Sequence, residues 1–85
     1  VTGVVVYSRP GCHLCEEAFE RLAALHEEGY RFSLTEVDIE SDEVLLRRYL
    51  ERIPVVEIGG AVVSELVLDE AAVRARLDTV GAWSS

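Results

Sequence analysis

Val4-Val5-Val6-Tyr7-Ser8-Arg9-Pro10-Gly11-Cys12-His13-Leu14-Cys15 is the stretch on which the reading of this chain turns. Its first four residues are strand formers with no polar interruption. A run apolar on both faces predicts a central strand covered on both sides. Ser8-Arg9-Pro10-Gly11 breaks the run. From Cys12 the period changes: Cys15, Ala18, Phe19, Leu22 and Leu25 share one broad helical face, and Glu16, Glu17, Glu20, Arg21, Glu27 and Glu28 lie mostly off it. Gly29 is placed to stop this helix.

The rest of the chain continues the alternation. Phe32 to Ile39 reads as an edge strand, because its alternation is imperfect and Ser33, Thr35 and Glu36 interrupt it. Ser41 is the expected cap of a short helix through about Leu50, carrying Val44, Leu45, Leu46 and Tyr49. Ile53-Pro54 leads into the strand Val55-Val56-Glu57-Ile58. Gly59-Gly60 signals a two-residue hairpin, with Ala61-Val62-Val63 returning. Asp69 is the expected N-cap of the last helix, with Leu68 and Val73 at staple positions, and Gly81 can end it. The order is β-α-β-α-β-β-α. A right-handed crossover makes the first two strands parallel, and the Gly-Gly turn makes the last two antiparallel. The expected fold is α/β, a four-stranded mixed sheet with helices on both faces.

Eighty-five residues allow one domain, residues 1–85, with a loosely packed or disordered tail at 82–85 that holds the single tryptophan, Trp83. With 49% hydrophobic residues and two cysteines, the chain is neither a disordered tail nor a disulfide-stapled mini-protein. All eight positive side chains are arginines, against sixteen acids, for a net charge of −8. No stretch gathers the arginines, so neither nucleic acid nor an anionic membrane is an expected partner. The longest apolar runs fall far short of the roughly 20 residues of a membrane span. The expected compartment is the cytoplasm, and the expected state a monomer.

Cys12-His13-Leu14-Cys15 carries the sharpest chemistry. The pair follows a buried strand and opens a helix, where free N–H groups and the positive helix end stabilise a thiolate at Cys12. Cys15 is one turn further on the same side, near enough to attack a mixed disulfide at Cys12. This is thiol–disulfide exchange, with Cys12 attacking and Cys15 resolving. His13, when protonated, would raise the thiolate fraction of Cys12, whereas Glu16 and Glu17 oppose it. Other readings stay open: two small core residues, or an iron–sulfur cluster held between two chains by cysteine thiolates. A closed zinc site within one chain lacks ligands, because His26 lies more than three turns from His13 on the same helix. No metal is expected.

With Cys12-His13-Leu14-Cys15-Glu16-Glu17-Ala18 and Arg52-Ile53-Pro54 in these places, the chain resembles the glutaredoxin branch of the thioredoxin-like superfamily. It is most similar to small glutaredoxin-like proteins whose active site reads Cys-x-x-Cys-Glu-x-Ala. The resemblance covers nearly the whole chain and implies a thioredoxin-like, glutaredoxin-type fold. It implies a cis Pro54 facing the cysteines, with the backbone of Ile53 open to pair with an incoming cysteinyl strand through two hydrogen bonds. It also implies that Arg9, in the place of a lysine three residues before the nucleophile, looks toward a glutathione carboxylate.

The same resemblance marks departures. Glutathione-using members carry Gly-Gly and two Asp after the fourth strand, and here the region reads Ser64-Glu65-Leu66-Val67. Glu65 alone would have to replace the acidic pair. The expectation is a dithiol oxidoreductase with no bound cofactor, on which glutathione acts weakly as reductant. Its partners would be a disulfide-bearing protein or small thiol, and a thioredoxin-type reductant. The alternative is a binding or adaptor domain that keeps the fold without turnover.

Overall fold

In the computed structural model, which describes residues 2–82, the chain runs β1 (Thr2–Ser8), α1 (His13–Glu28), β2 (Phe32–Asp38), a 3-10 turn (Ile39–Ser41), α2 (Glu43–Tyr49), β3 (Val55–Ile58), β4 (Ala61–Glu65) and α3 (Glu70–Thr79). The sheet order is β2-β1-β3-β4. β1 pairs parallel with β2 from Thr2↔Phe32 to Ser8↔Asp38, and antiparallel with β3 from Val4↔Ile58 to Tyr7↔Val55. The element order, the mixed four-stranded sheet and the helices on both faces are those expected of a thioredoxin-like fold, and β2 is an edge strand.

The period-2 alternation of β1 separates two cores. Val4 and Val6, with Val56 and Ile58 of β3, pack against Leu22 and Leu25 of α1 and Val73 and Leu77 of α3. Tyr7 and Val55 belong to the opposite face and pack with Ile39, Tyr49 of α2, Ile53 and Cys15. This second core is smaller for a geometric reason. The seven residues of α2 span about 10 Å of helix, whereas the seven of β1 span about 23 Å of strand. α2 therefore covers only one end of β1, and Val5 stays partly exposed. Both faces are covered as expected, one more fully than the other. The covered end is the one from which the cysteines emerge.

Gly59 and Gly60 have φ of 60° and 84°, the pair of positive values that a tight β3–β4 hairpin requires. A bulge between Val56 and Glu57 then shifts the β3–β4 register, pairing Glu57 with Val62 and Val56 with Ser64. Asp69 caps α3 by accepting from the Ala72 N–H at 3.1 Å. The cap of α2 differs from expectation by one residue. Asp42 accepts from Val44 N–H at 2.8 Å, while Ser41 closes the 3-10 turn by donating to the Asp38 carbonyl. Two adjacent capping-competent residues compete there, and the 3-10 turn claims the first. Val44 is exposed rather than part of the apolar face. Ala82, at the start of the expected loose tail, is buried: its N–H donates to Leu77 O and its carbonyl accepts from Arg31 N–H. Trp83 and the rest of that tail lie outside the described residues.

Candidate active site

The turn that presents the first cysteine is built by Pro10 and Gly11. Cys12 N–H donates to the Arg9 carbonyl at 3.3 Å. Gly11 at φ 75° supplies the positive dihedral that the third position of a type II turn demands. Cys12 is the N-cap of α1, in extended backbone, and its Sγ accepts from the Cys15 N–H at 3.2 Å. A cysteine sulfur thus takes the capping role usually held by a Ser or Asp oxygen. Cys12 and Cys15 form a disulfide with their Cα atoms 5.2 Å apart. Cys12 is partly exposed and Cys15 is 3% exposed. One sulfur of the pair faces outward and the other sits in the core.

Tyr7 pairs with Val55 across the sheet, so the end of β1 and the start of β3 lie at the same edge. This brings Ile53 into one apolar cluster with Cys15, with Cys12 packed against it. The Ile53–Pro54 bond is cis, and Pro54 is fully buried. The Ile53 N–H, however, donates to the Tyr49 carbonyl at 3.0 Å, extending the end of α2. Of the two backbone groups expected to receive an incoming strand, only the carbonyl carries no hydrogen bond among the described residues. The two-bond platform reduces to one acceptor.

The flanking charged residues are engaged with other charged side chains. Arg9 is ion-paired with Glu40 at 3.0 Å. His13 is almost fully exposed, and its ring nitrogens lie 3.7 and 3.8 Å from Glu16 and Glu17. Glu65 is held by Arg52, whose Nε donates to its Oε2. That hydrogen bond keeps the Glu65 carboxyl below its usual range and holds the Arg52 guanidinium more firmly protonated. Arg9, His13 and Glu65 thus stand in three separate sets of ion pairs or close contacts.

Arg52 itself was not among the expected site residues, yet it links the parts. Its guanidinium lies 5.5 Å from the Tyr49 ring centroid, and its carbonyl accepts from Leu66 N–H at 3.0 Å. The Tyr49 ring stacks on Tyr7 at 4.7 Å between centroids. Burial first, and then the Glu57 carboxylate that accepts from its hydroxyl, raises the pKa of Tyr7. Leu66 has φ 63°, a left-handed conformation that costs a leucine about 1 kcal/mol or more. Nothing local in the sequence marks that conformation, because Leu is not a turn residue.

The profile of the "Glutaredoxin-like domain (DUF836)" matches residues 3–78. No curated protein matches the chain. A Nitrosomonas europaea protein solved by solution NMR is 34% identical with a TM-score of 0.79, over 88% of this chain and 89% of that one. A structural-genomics target protein from X. campestris, solved by X-ray, is 30% identical with a TM-score of 0.73, over 89% and 96%. A closely spaced cysteine pair at the head of α1, in a sheet of this order, is the arrangement of a thiol–disulfide site. With the profile spanning both Cys12–Cys15 and Pro54, the chain belongs to the glutaredoxin-like family.

Proposed function

We propose that this protein is a small dithiol thiol–disulfide oxidoreductase, acting as a single-domain monomer, with Cys12 as nucleophile and Cys15 as resolving residue. The observation that carries the reading is Cys12 Sγ at the N-cap of α1, where it accepts the Cys15 N–H while remaining partly exposed. A thiolate there gains a backbone donor and the positive end of a 16-residue helix.

In the forward direction, the Cys12 thiolate attacks one sulfur of a partner disulfide. An S–S bond forms to Cys12, the partner's own S–S bond breaks, and the leaving thiolate takes a proton. Cys15, as thiolate, then attacks Cys12 Sγ, forming the intramolecular disulfide and releasing the second partner thiol. Two electrons pass from the protein dithiol to the partner. A reduced dithiol of the thioredoxin type would reverse the sequence. In a reducing compartment such as the cytoplasm the pair would stand ready to attack. Arg9 and Glu65, already committed to Glu40 and Arg52, support weak use of glutathione rather than a dedicated site.

The test is to mix reduced protein with a peptide disulfide and follow thiol release together with the mass of the protein. Turnover should vanish in Cys12→Ser and stop at a mixed disulfide in Cys15→Ser. Failure of the wild-type pair to exchange with any disulfide would favour the adaptor reading.

A further inference from the structure

Three exposed large apolar side chains lie within the Cys12–Cys15 segment or in the β4–α3 connection. Leu14, between the two cysteines in sequence, is 40% exposed; Leu66 is 49% and Val67 70% exposed. Leu14, Val67, Leu68 and Ala18 line a groove of about 230 Å³, rimmed by Glu17 and Arg21. Leu14 stands between the two cysteines in the chain and Ala18 one helical turn further along α1, so the groove starts next to the redox pair and has an apolar floor, with two rim charges of opposite sign. Next in the chain to Val67 of the groove, Leu66 is held in an unfavourable backbone state. Leu66 sits at φ 63° and is tied to Arg52 through its N–H, while the neighbouring Glu65 is tied to the Arg52 guanidinium. A residue bent against its preference, leaving itself and its neighbour turned to solvent, is a feature that clusters at ligand-contacting sites.

The disulfide determines what can occupy this groove. A partner sulfur must reach Cys12, so the atoms bonded on either side of that cysteine are laid across the surface around it. On the Ile53 side they meet one free carbonyl, which can accept one backbone N–H. On the Leu14–Val67 side they meet apolar surface without an unpaired charge. The geometry points to a polypeptide partner whose reactive cysteine is flanked by an apolar side chain, seated against Leu14 and Val67. This specificity rests on the dithiol reading above. The chemistry is the same two-step exchange, with the partner disulfide reduced to two thiols and Cys12–Cys15 oxidised.

The experiment uses two symmetric peptide disulfides of equal charge, one with Leu and one with Gly on both sides of cysteine. Single-turnover reduction of each by the reduced protein is divided by its rate with free dithiothreitol, which removes intrinsic differences in sulfur reactivity. The normalised rate should be about tenfold higher for the Leu peptide, the scale of burying one to two methylene groups. In Val67→Ser, a surface change that leaves the core untouched, this preference should fall to about threefold or less on the same scale. Equal normalised rates for the two peptides, or a Leu preference that Val67→Ser does not reduce, would overturn the groove while the dithiol chemistry stood. If neither peptide is reduced, the oxidoreductase reading falls, and this inference with it.

Discussion

The backbone N–H of Cys15 donates to Sγ of Cys12 at 3.2 Å, while Cys15 is itself buried beneath the head of the helix. The two sulfurs therefore differ in both charge stabilisation and access, although they differ by only three positions in sequence. Limiting iodoacetamide at neutral pH should label Cys12 of the reduced protein several-fold faster than Cys15, read by peptide mass spectrometry. Faster labelling of Cys15 would reverse the assigned roles.

Glutathione should reduce the oxidised protein without saturating. The two side chains that could have held it, Arg9 and Glu65, already have partners in Glu40 and Arg52. A protein of net charge −8 also repels an anionic tripeptide at long range. Gel-shift kinetics across millimolar glutathione should be linear in concentration, and Arg9→Ala should change the rate by less than about twofold, as expected of an exposed ion pair. Saturation that Arg9→Ala abolishes would restore a glutathione site.

The Arg52–Glu65 pair ties the approach to Pro54 to the end of β4, and its effect on stability has a definite sign. Glu65 titrates below its ordinary value when folded, because Arg52 hydrogen-bonds the ionised form. The stabilisation is then present above the unfolded pKa of about 4.3 and is lost as pH falls through the lower folded value. Urea midpoints of wild type and Glu65→Gln should differ at pH 6 and converge as the pH drops below about 4. A gap that persists at low pH would show that the pair contributes little by its charge.

Leu66 is held at φ 63° with about half its surface exposed. Glycine removes the left-handed penalty but adds freedom to the unfolded chain, so Leu66→Gly should change stability by less than about 1 kcal/mol in either direction. At an ordinary half-buried leucine in a favourable conformation, loss of the side chain would destabilise clearly. Urea denaturation measures the difference, and a loss above about 2 kcal/mol would mean that the Leu66 side chain is packed rather than presented.

Leu22 is fully buried between the sheet and α3. Leu22→Ala should cost about 2–5 kcal/mol, because the rigid sheet behind it cannot collapse into the space. A smaller loss in chemical denaturation would show that α1 shifts to fill the cavity.

Much of this architecture was legible along the chain because the signals are local. The apolar run Val4 to Tyr7, the helical period from Cys15 to Leu25, the paired glycines at 59 and 60 and the cap at Asp69 each act within a few residues, and crossover handedness then limits how the strands can be ordered. The placing of Cys12 at a helix start was local in the same way. What the sequence left undetermined depends on groups far apart in the chain. That Ile53 N–H is taken by Tyr49, that Arg9 finds Glu40 and that Glu65 finds Arg52 follow from how loops meet at one end of the sheet. The half-covered face of β1 follows from the difference in rise between a seven-residue helix and a seven-residue strand. The left-handed Leu66 goes against its own propensity and is held by its bond to Arg52. Local propensity could name the elements and the reactive pair, whereas only the folded chain decides which charges are spent on one another and which apolar side chains are left facing a partner.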